Sequence, residues 1–169
     1  MLLVDLDHFK SINDSFGHAL GDRVLQVFAE TANANIGPHD LIGRLGGEEF
    51  AIALYDVDRD RAMDIAETIR IAFADIASDV DGLPVMATCS IGVSVSEEGP
   101  LDISSLLAQA DQALYSAKER GRNRCEIASV EFVLHLDAST PSLRIEANTA
   151  NAPAAIPLQP AHLSAQPAH

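Results

Sequence analysis

Two glycines near the middle of the chain constrain its fold more than any other feature. From Asp40 to Tyr55 two short strand-like stretches flank Gly46-Gly47, and paired glycines supply the positive φ angles that a tight hairpin turn needs. The segment is therefore expected to be an antiparallel hairpin with Gly46-Gly47 at its tip. A hairpin alone is marginally stable in water and needs further strands and a covering layer. The rest of the chain supplies both.

Met1 to Asp7 reads as a short buried strand with an acidic end, followed by a helix that begins with His8-Phe-Lys-Ser-Ile-Asn13. Gly17 breaks the chain, and Leu20, Val24, Val27, Phe28 and Thr31 then recur at helical spacing until Gly37-Pro38. Ala62, Ile65, Ala66, Ile69, Phe73 and Ile76 form a second helical stripe. Ala87, Cys89, Ile91, Val93 and Val95 alternate with Thr88, Ser90, Gly92 and Ser94 as a half-covered strand. Asp102 is placed to cap a helix carrying Ile103, Leu106, Leu107, Ala110, Leu114 and Ala117, which Gly121 ends before a strand from Arg124 to Ile127.

The order β-α-α-β-β-α-β-α-β, with helices long enough to cover a face, predicts an α+β sandwich with a mixed, mostly antiparallel central sheet and helices packed on it. The 169 residues, 47% of them hydrophobic, suffice for one domain with one sizeable core. That domain is expected over residues 1–129. Residues 130–137 read as an extra edge strand, and 138–169, rich in Ala, Pro, Ser and Asn without periodicity, as a disordered tail. His135, His162 and His169 are too scattered to argue for a metal site.

The 25 acidic and 11 basic residues give a formal net charge of -14, a field that repels nucleic-acid backbones and anionic membranes. Carboxylates gathered at one point can still hold a hard divalent cation that attracts phosphates. Cys89 and Cys125 are the two cysteines, too few and too far apart for a zinc pattern, and read as free buried thiols of a reducing compartment. With no run long enough for a signal core or a membrane span, the chain reads as cytoplasmic.

The chemistry is concentrated in two acidic clusters: Asp5-Leu-Asp7-His-Phe-Lys10 at a strand end, and Gly46-Gly-Glu-Glu-Phe50 at the hairpin tip. Adjacent strands would bring them together. Four carboxylates there would repel one another unless a divalent cation lay between them. Oxygen ligands without nearby Cys point to magnesium, which binds through one or two carboxylates plus substrate phosphates. Asp5 and Glu48 are read as ligands, whereas Asp7, directly before a helix, is read as its cap.

Gly46-Gly-Glu-Glu-Phe50 resembles the signature of GGDEF domains, the catalytic domains of diguanylate cyclases. The likeness extends to Asp5-Leu-Asp-His-Phe-Lys-Ser-Ile-Asn-Asp14, Phe16-Gly-His-Ala-Leu-Gly-Asp22, Arg44-Leu45, Ser90-Ile-Gly-Val93 and Ala110-Asp-Gln-Ala-Leu-Tyr-Ser-Ala-Lys-Glu-Arg-Gly-Arg-Asn-Arg124. It spans about residues 1 to 127.

The resemblance implies a palm-like, ferredoxin-like nucleotide cyclase fold. It also implies condensation of two GTP into cyclic di-GMP with release of pyrophosphate, by two-metal nucleotidyl transfer in a homodimer. Asp5, Glu48 and the Leu6 carbonyl would hold two magnesium ions, with manganese as an alternative. Glu48 would also help deprotonate the attacking hydroxyl. Asn13 and Asp22 match guanine-recognising positions, Asp22 having a helix cap as its alternative role. His18 matches a substrate contact, or else packs beside one. Lys10, Lys118 and Arg122 match phosphate-facing cations, the last two expected on one helical face, and Gly46 and Gly47 would admit the nucleotide close to the backbone.

Two departures from the family pattern stand out. Met1 begins directly in the first strand, without the family's preceding helix, so the domain reads as N-terminally truncated. The Arg-x-x-Asp pattern of the family's inhibitory site is Gly37-Pro-His-Asp40 here, degenerate because Gly37 replaces the arginine while Asp40 is retained. Rival readings are an inactive GGDEF domain that senses GTP or cyclic di-GMP, and a different palm-like nucleotidyl transferase.

Overall fold

The computed structural model describes residues 1–96 and 102–128. The expected elements appear in the expected order: β1 (Leu2–Leu6), α1 (Phe9–Phe16), α2 (His18–Ala34), β2 (Leu41–Gly46), β3 (Glu49–Ala53), α3 (Arg59–Ile76), β4 (Cys89–Val93), α4 (Ile103–Glu119) and β5 (Cys125–Ile127). The strand expected over 130–137 and the tail expected over 138–169 lie outside the described residues.

The five strands run in the order β2-β3-β1-β4-β5. All pairings are antiparallel except β4 with β5, which is parallel. β1 is the central strand, and its five residues are all buried, which explains why Leu-Leu-Val reads as an unbroken apolar run rather than an alternating one. Gly47 lies in the hairpin turn at φ 53°, a conformation that costs a residue with a Cβ. The ladder slips between Arg44 and Gly46, a bulge beside the turn.

Helices pack on both faces of the sheet. On the first face Leu2, Val4, Leu6, Phe50 and Ile52 join the apolar stripes of α2 and α3 in the main core. Phe28 anchors it, with ring centroids 4.7 Å from Phe50 and 5.2 Å from Phe73. Burying a side chain of this kind stabilises the fold by roughly 2–3 kcal/mol. On the second face Leu3 meets Ala110 and Leu114 of α4. The reason is the period of two: alternate residues of β1 serve opposite cores, and Gly92, opposite Leu3, lets α4 approach closely. A Cβ at Gly92 would come within 2.0 Å of the Ala110 carbonyl oxygen.

Two helix starts follow local capping chemistry. Asp58 accepts from the Arg61 N–H at α3, and Asp102 from the Ser104 N–H at α4, each satisfying one of the free donors of a first turn. α1 has no such cap. It starts from His8 at φ 55° with no side-chain bond.

Candidate active site

The site grows from the end of β1. Strand pairing sets Asp5 opposite Glu49 on β3 and opposite Ser90 on β4. Leu6 donates its N–H to the Glu48 carbonyl at 3.3 Å, so the hairpin turn sits beside the acidic end of β1. Arg44 closes that turn, its Nε donating to the Gly47 carbonyl at 2.8 Å. The two acidic clusters of the sequence are thus neighbours at one end of the sheet.

Asp5 alternates with Val4 and Leu6, and so shares the α4 face with Leu3. Lys118, in the last turn of α4, places Nζ 2.7 Å from Asp5 Oδ2; the two side chains are 32% and 12% exposed. A partly buried carboxylate is costly without a compensating charge, and the ammonium supplies one.

Asp7 overturns its expected role. It does not cap α1. It is 4% exposed, and its carboxylate accepts from Thr88 Oγ1 at 2.7 Å, Ser90 Oγ at 2.7 Å and the Asn123 N–H at 3.0 Å. The expected crowd of four carboxylates is therefore thinned, and among the described residues no three His, Cys, Asp or Glu side chains converge as a metal site. What the strand pairing brings to this end of the sheet is the Asp5 carboxylate and the Leu6 and Glu48 backbones. Carboxylate and carbonyl oxygens are hard donors, of the kind that suit magnesium.

Arg122 also departs from expectation. α4 ends at Glu119, Arg120 caps it, and Gly121, Arg122 and Asn123 follow at φ 111°, 61° and 45°. Arg122 therefore does not continue the helical face of Lys118. It is held in the following loop by its N–H, which donates to the Ala117 carbonyl at 3.0 Å.

The α1–α2 corner carries Lys10, Asn13, His18 and Asp22. Lys10 and His18 are exposed, His18 as the first residue of α2. The Asn13 carbonyl accepts from the Gly17 N–H at 2.8 Å, closing α1. Its side-chain oxygen packs on Gly21, where a Cβ would come within 2.0 Å. Asp22 is no helix cap, because α2 is capped at Gly17 without a side-chain bond. Instead Asp22 lines an open groove of about 430 Å³ between α2 and the hairpin, with Leu25, Ala29, Ile42, Arg44 and Phe50. Its size suits a small-molecule ligand.

Asp40 is committed to the chain itself. Oδ2 accepts from the Gly37 N–H at 2.7 Å and Oδ1 from the Tyr55 N–H at 2.8 Å. Both cysteines are free and buried. Burial pushes the Cys89 thiol well up, with the Asp7 carboxylate adding to it. The Cys125 thiol is also raised, first by burial and then by Glu67.

Sequence reasoning missed two things here. Glu49 lies directly opposite Asp5, and only the strand register, which a single sequence does not fix, could have singled it out. The bonding of Asp7 depends on the α4–β5 loop, more than a hundred residues away. Among the described residues no helix is long and apolar enough to cross a membrane.

Comparison with known proteins places the fold in a family. The family described as diguanylate cyclase, GGDEF domain, matches residues 1–124. The probable diguanylate cyclase DgcT of Escherichia coli is 39% identical over 132 residues, covering 77% of this chain and 29% of that protein. Diguanylate cyclase DgcM of the same species is 45% identical over 124 residues, covering 73% of this chain and 29% of that protein. This chain thus spans under a third of the length of these two relatives. The active GGEEF domain of a diguanylate cyclase from Vibrio cholerae superposes with a TM-score of 0.70 at 40% identity, over 77% of this chain and 82% of that one. The GGDEF domain of DgcB from Caulobacter crescentus, solved with c-di-GMP, gives a TM-score of 0.68 at 31% identity, over 75% of each chain. The chain, with its acidic strand end set beside a Gly-Gly-Glu-Glu-Phe hairpin, belongs to the GGDEF family of diguanylate cyclase domains.

Proposed function

We propose that this domain condenses two GTP into cyclic di-GMP. The ribose 3′-hydroxyl of one GTP attacks the α-phosphorus of the other, the bond to pyrophosphate breaks, and a second such step closes the ring. The observation that carries the reading is the meeting of the Asp5 strand end with the Glu48 turn, with the Lys118 ammonium beside Asp5.

Asp5, Glu48 and the Leu6 carbonyl are the groups that would hold magnesium or manganese. When bound, the metal lowers the hydroxyl's pKa and offsets charge on the phosphates. The chain's own groups do the rest. Lys10, Lys118 and Arg122 bind the triphosphate, and Glu48 takes up the hydroxyl proton. Asn13 and Asp22 read guanine through its donor and acceptor edge, with His18 beside them, while Gly46 and Gly47 keep the turn open to the nucleotide. Each domain holds one GTP, so two copies face each other as a homodimer to bring each hydroxyl to the other's α-phosphorus.

Purified chain incubated with GTP and magnesium at low and high protein concentration tests this. Turnover per protein is expected to rise steeply with concentration, and Glu48→Gln to abolish it. GTP binding without product in both wild type and a longer chain would instead identify a sensing module.

A further inference from the structure

The three hydrogen bonds to Asp7 join parts of the molecule that are remote in sequence. Thr88 and Ser90 belong to the approach to β4 and to β4 itself, whereas Asn123 belongs to the loop between α4 and β5. That loop holds three successive residues at positive φ, two of them not glycine. Left-handed backbone in Arg122 and Asn123 is unfavourable unless the surroundings fix it. Asn123 is fixed from two sides. Its N–H goes to Asp7, and its Oδ1 accepts from Arg70 Nη1 at 2.7 Å. Arg70 is itself oriented by Glu67 at 2.8 Å.

We infer that Asp7 is a positioning residue that fixes the Gly121–Arg124 loop and thereby sets where the Arg122 guanidinium stands. The consequence for ligand binding rests on the reading that Arg122 meets the triphosphate. Asp7 itself has both oxygens occupied by protein donors and faces the loop, so its part is geometric rather than that of a metal ligand.

The hydrogen-bond pattern makes the two roles separable. Asp7→Asn can keep all three contacts. With its carbonyl at the Oδ2 position it accepts from Thr88 and Asn123, and its amide then donates to Ser90 Oγ, a hydroxyl that can accept. Asp7→Ala keeps none. A metal ligand would be damaged by both changes, a positioning residue by the second alone.

The test uses the whole chain and two readouts: amide hydrogen exchange in the 121–124 loop, and affinity for a non-hydrolysable GTP analogue with magnesium. For Asp7→Ala, exchange at Arg122 and Asn123 is expected to accelerate at least about tenfold and affinity to fall about tenfold, the scale of a lost buried hydrogen-bond partner. Asp7→Asn is expected to stay within about threefold of wild type in both. Adding Arg122→Ala to Asp7→Ala should cost no further affinity, because the two changes act through one contact. If Asp7→Ala does not fold, Thr88→Val removes one anchor and should loosen the loop and weaken binding by a smaller factor. Unchanged loop exchange in the alanine or valine chain overturns the inference, as does an Asp7→Asn chain as impaired as Asp7→Ala. A wild-type chain that binds no analogue, yet whose loop exchange follows the expected pattern, leaves the positioning role standing and removes the nucleotide site instead.

Discussion

Lys118 and Asp5 form an ion pair of 2.7 Å between the last turn of α4 and the end of the central strand. Neither side chain is freely solvated, so the ammonium is less screened than in a surface pair. It places a positive charge against a carboxylate in a chain of net charge -14. On the proposed function, a metal ion at Asp5 would compete with Lys118, whose freed ammonium would then be available to phosphate.

Lys118→Ala separates these two parts. Magnesium alone should bind more tightly, because Asp5 has lost a competing cation. The magnesium complex of a GTP analogue should bind more weakly, by about tenfold, or ~1.4 kcal/mol. Calorimetric titration with each ligand reads both signs. If the two affinities move together, the pair is an ordinary structural contact.

Gly21→Ala probes base recognition. The added methyl would come within 2.0 Å of Asn13 Oδ1, 2.9 Å of its Cγ and 3.3 Å of the buried Phe9 ring, so it should cost about 1–3 kcal/mol of stability. Asn13 would leave its place. Affinity for the GTP analogue should fall while that for inorganic tripolyphosphate is unchanged. Equal loss for both would mean that Asn13 does not meet the base.

These residues also show where a single sequence stops being informative. The elements were legible because each carries its own period and its own punctuation: Gly17 between α1 and α2, Gly47 in the hairpin, Asp102 at the start of α4. What could not be read was register and sidedness. The side of the sheet on which α4 packs is decided by Gly92, whose missing Cβ matters only once the helix is known to lie over it. Asp7 looked like a cap because it precedes a helix, but its carboxylate is claimed by partners at positions 88, 90 and 123. Arg122 looked helical by spacing from Lys118, yet Gly121 ends the helix in between and redirects the chain.

The two cysteines should be chemically silent in the folded domain. Both are buried and both thiols are raised. A raised thiol holds its proton to higher pH, so little thiolate exists near pH 8, and thiolate is the reacting form. Iodoacetamide at pH 8 should leave the native chain unmodified over a period in which the urea-unfolded chain gains two adducts. Mass spectrometry counts them. Rapid native labelling at Cys125 would mean that β5 opens readily.

Feedback by the product should be weak, for a reason that goes beyond the missing arginine at position 37. Asp40 would be the remaining member of an Arg-x-x-Asp site, but its two oxygens already accept from the backbone N–H groups of Gly37 and Tyr55. Releasing either leaves a backbone donor to find water, and no guanidinium at position 37 would hold the ligand's phosphate in exchange. Cyclic di-GMP should therefore inhibit turnover only in competition with GTP. Gly37→Arg should restore part of a second site. Its Cβ would sit 3.2 Å from Asp40 Oδ2, a tight but adjustable contact, and the guanidinium can reach outward. A non-competitive component should then appear in inhibition assays of the variant. Its presence already in the wild-type chain would show that another cation serves that site.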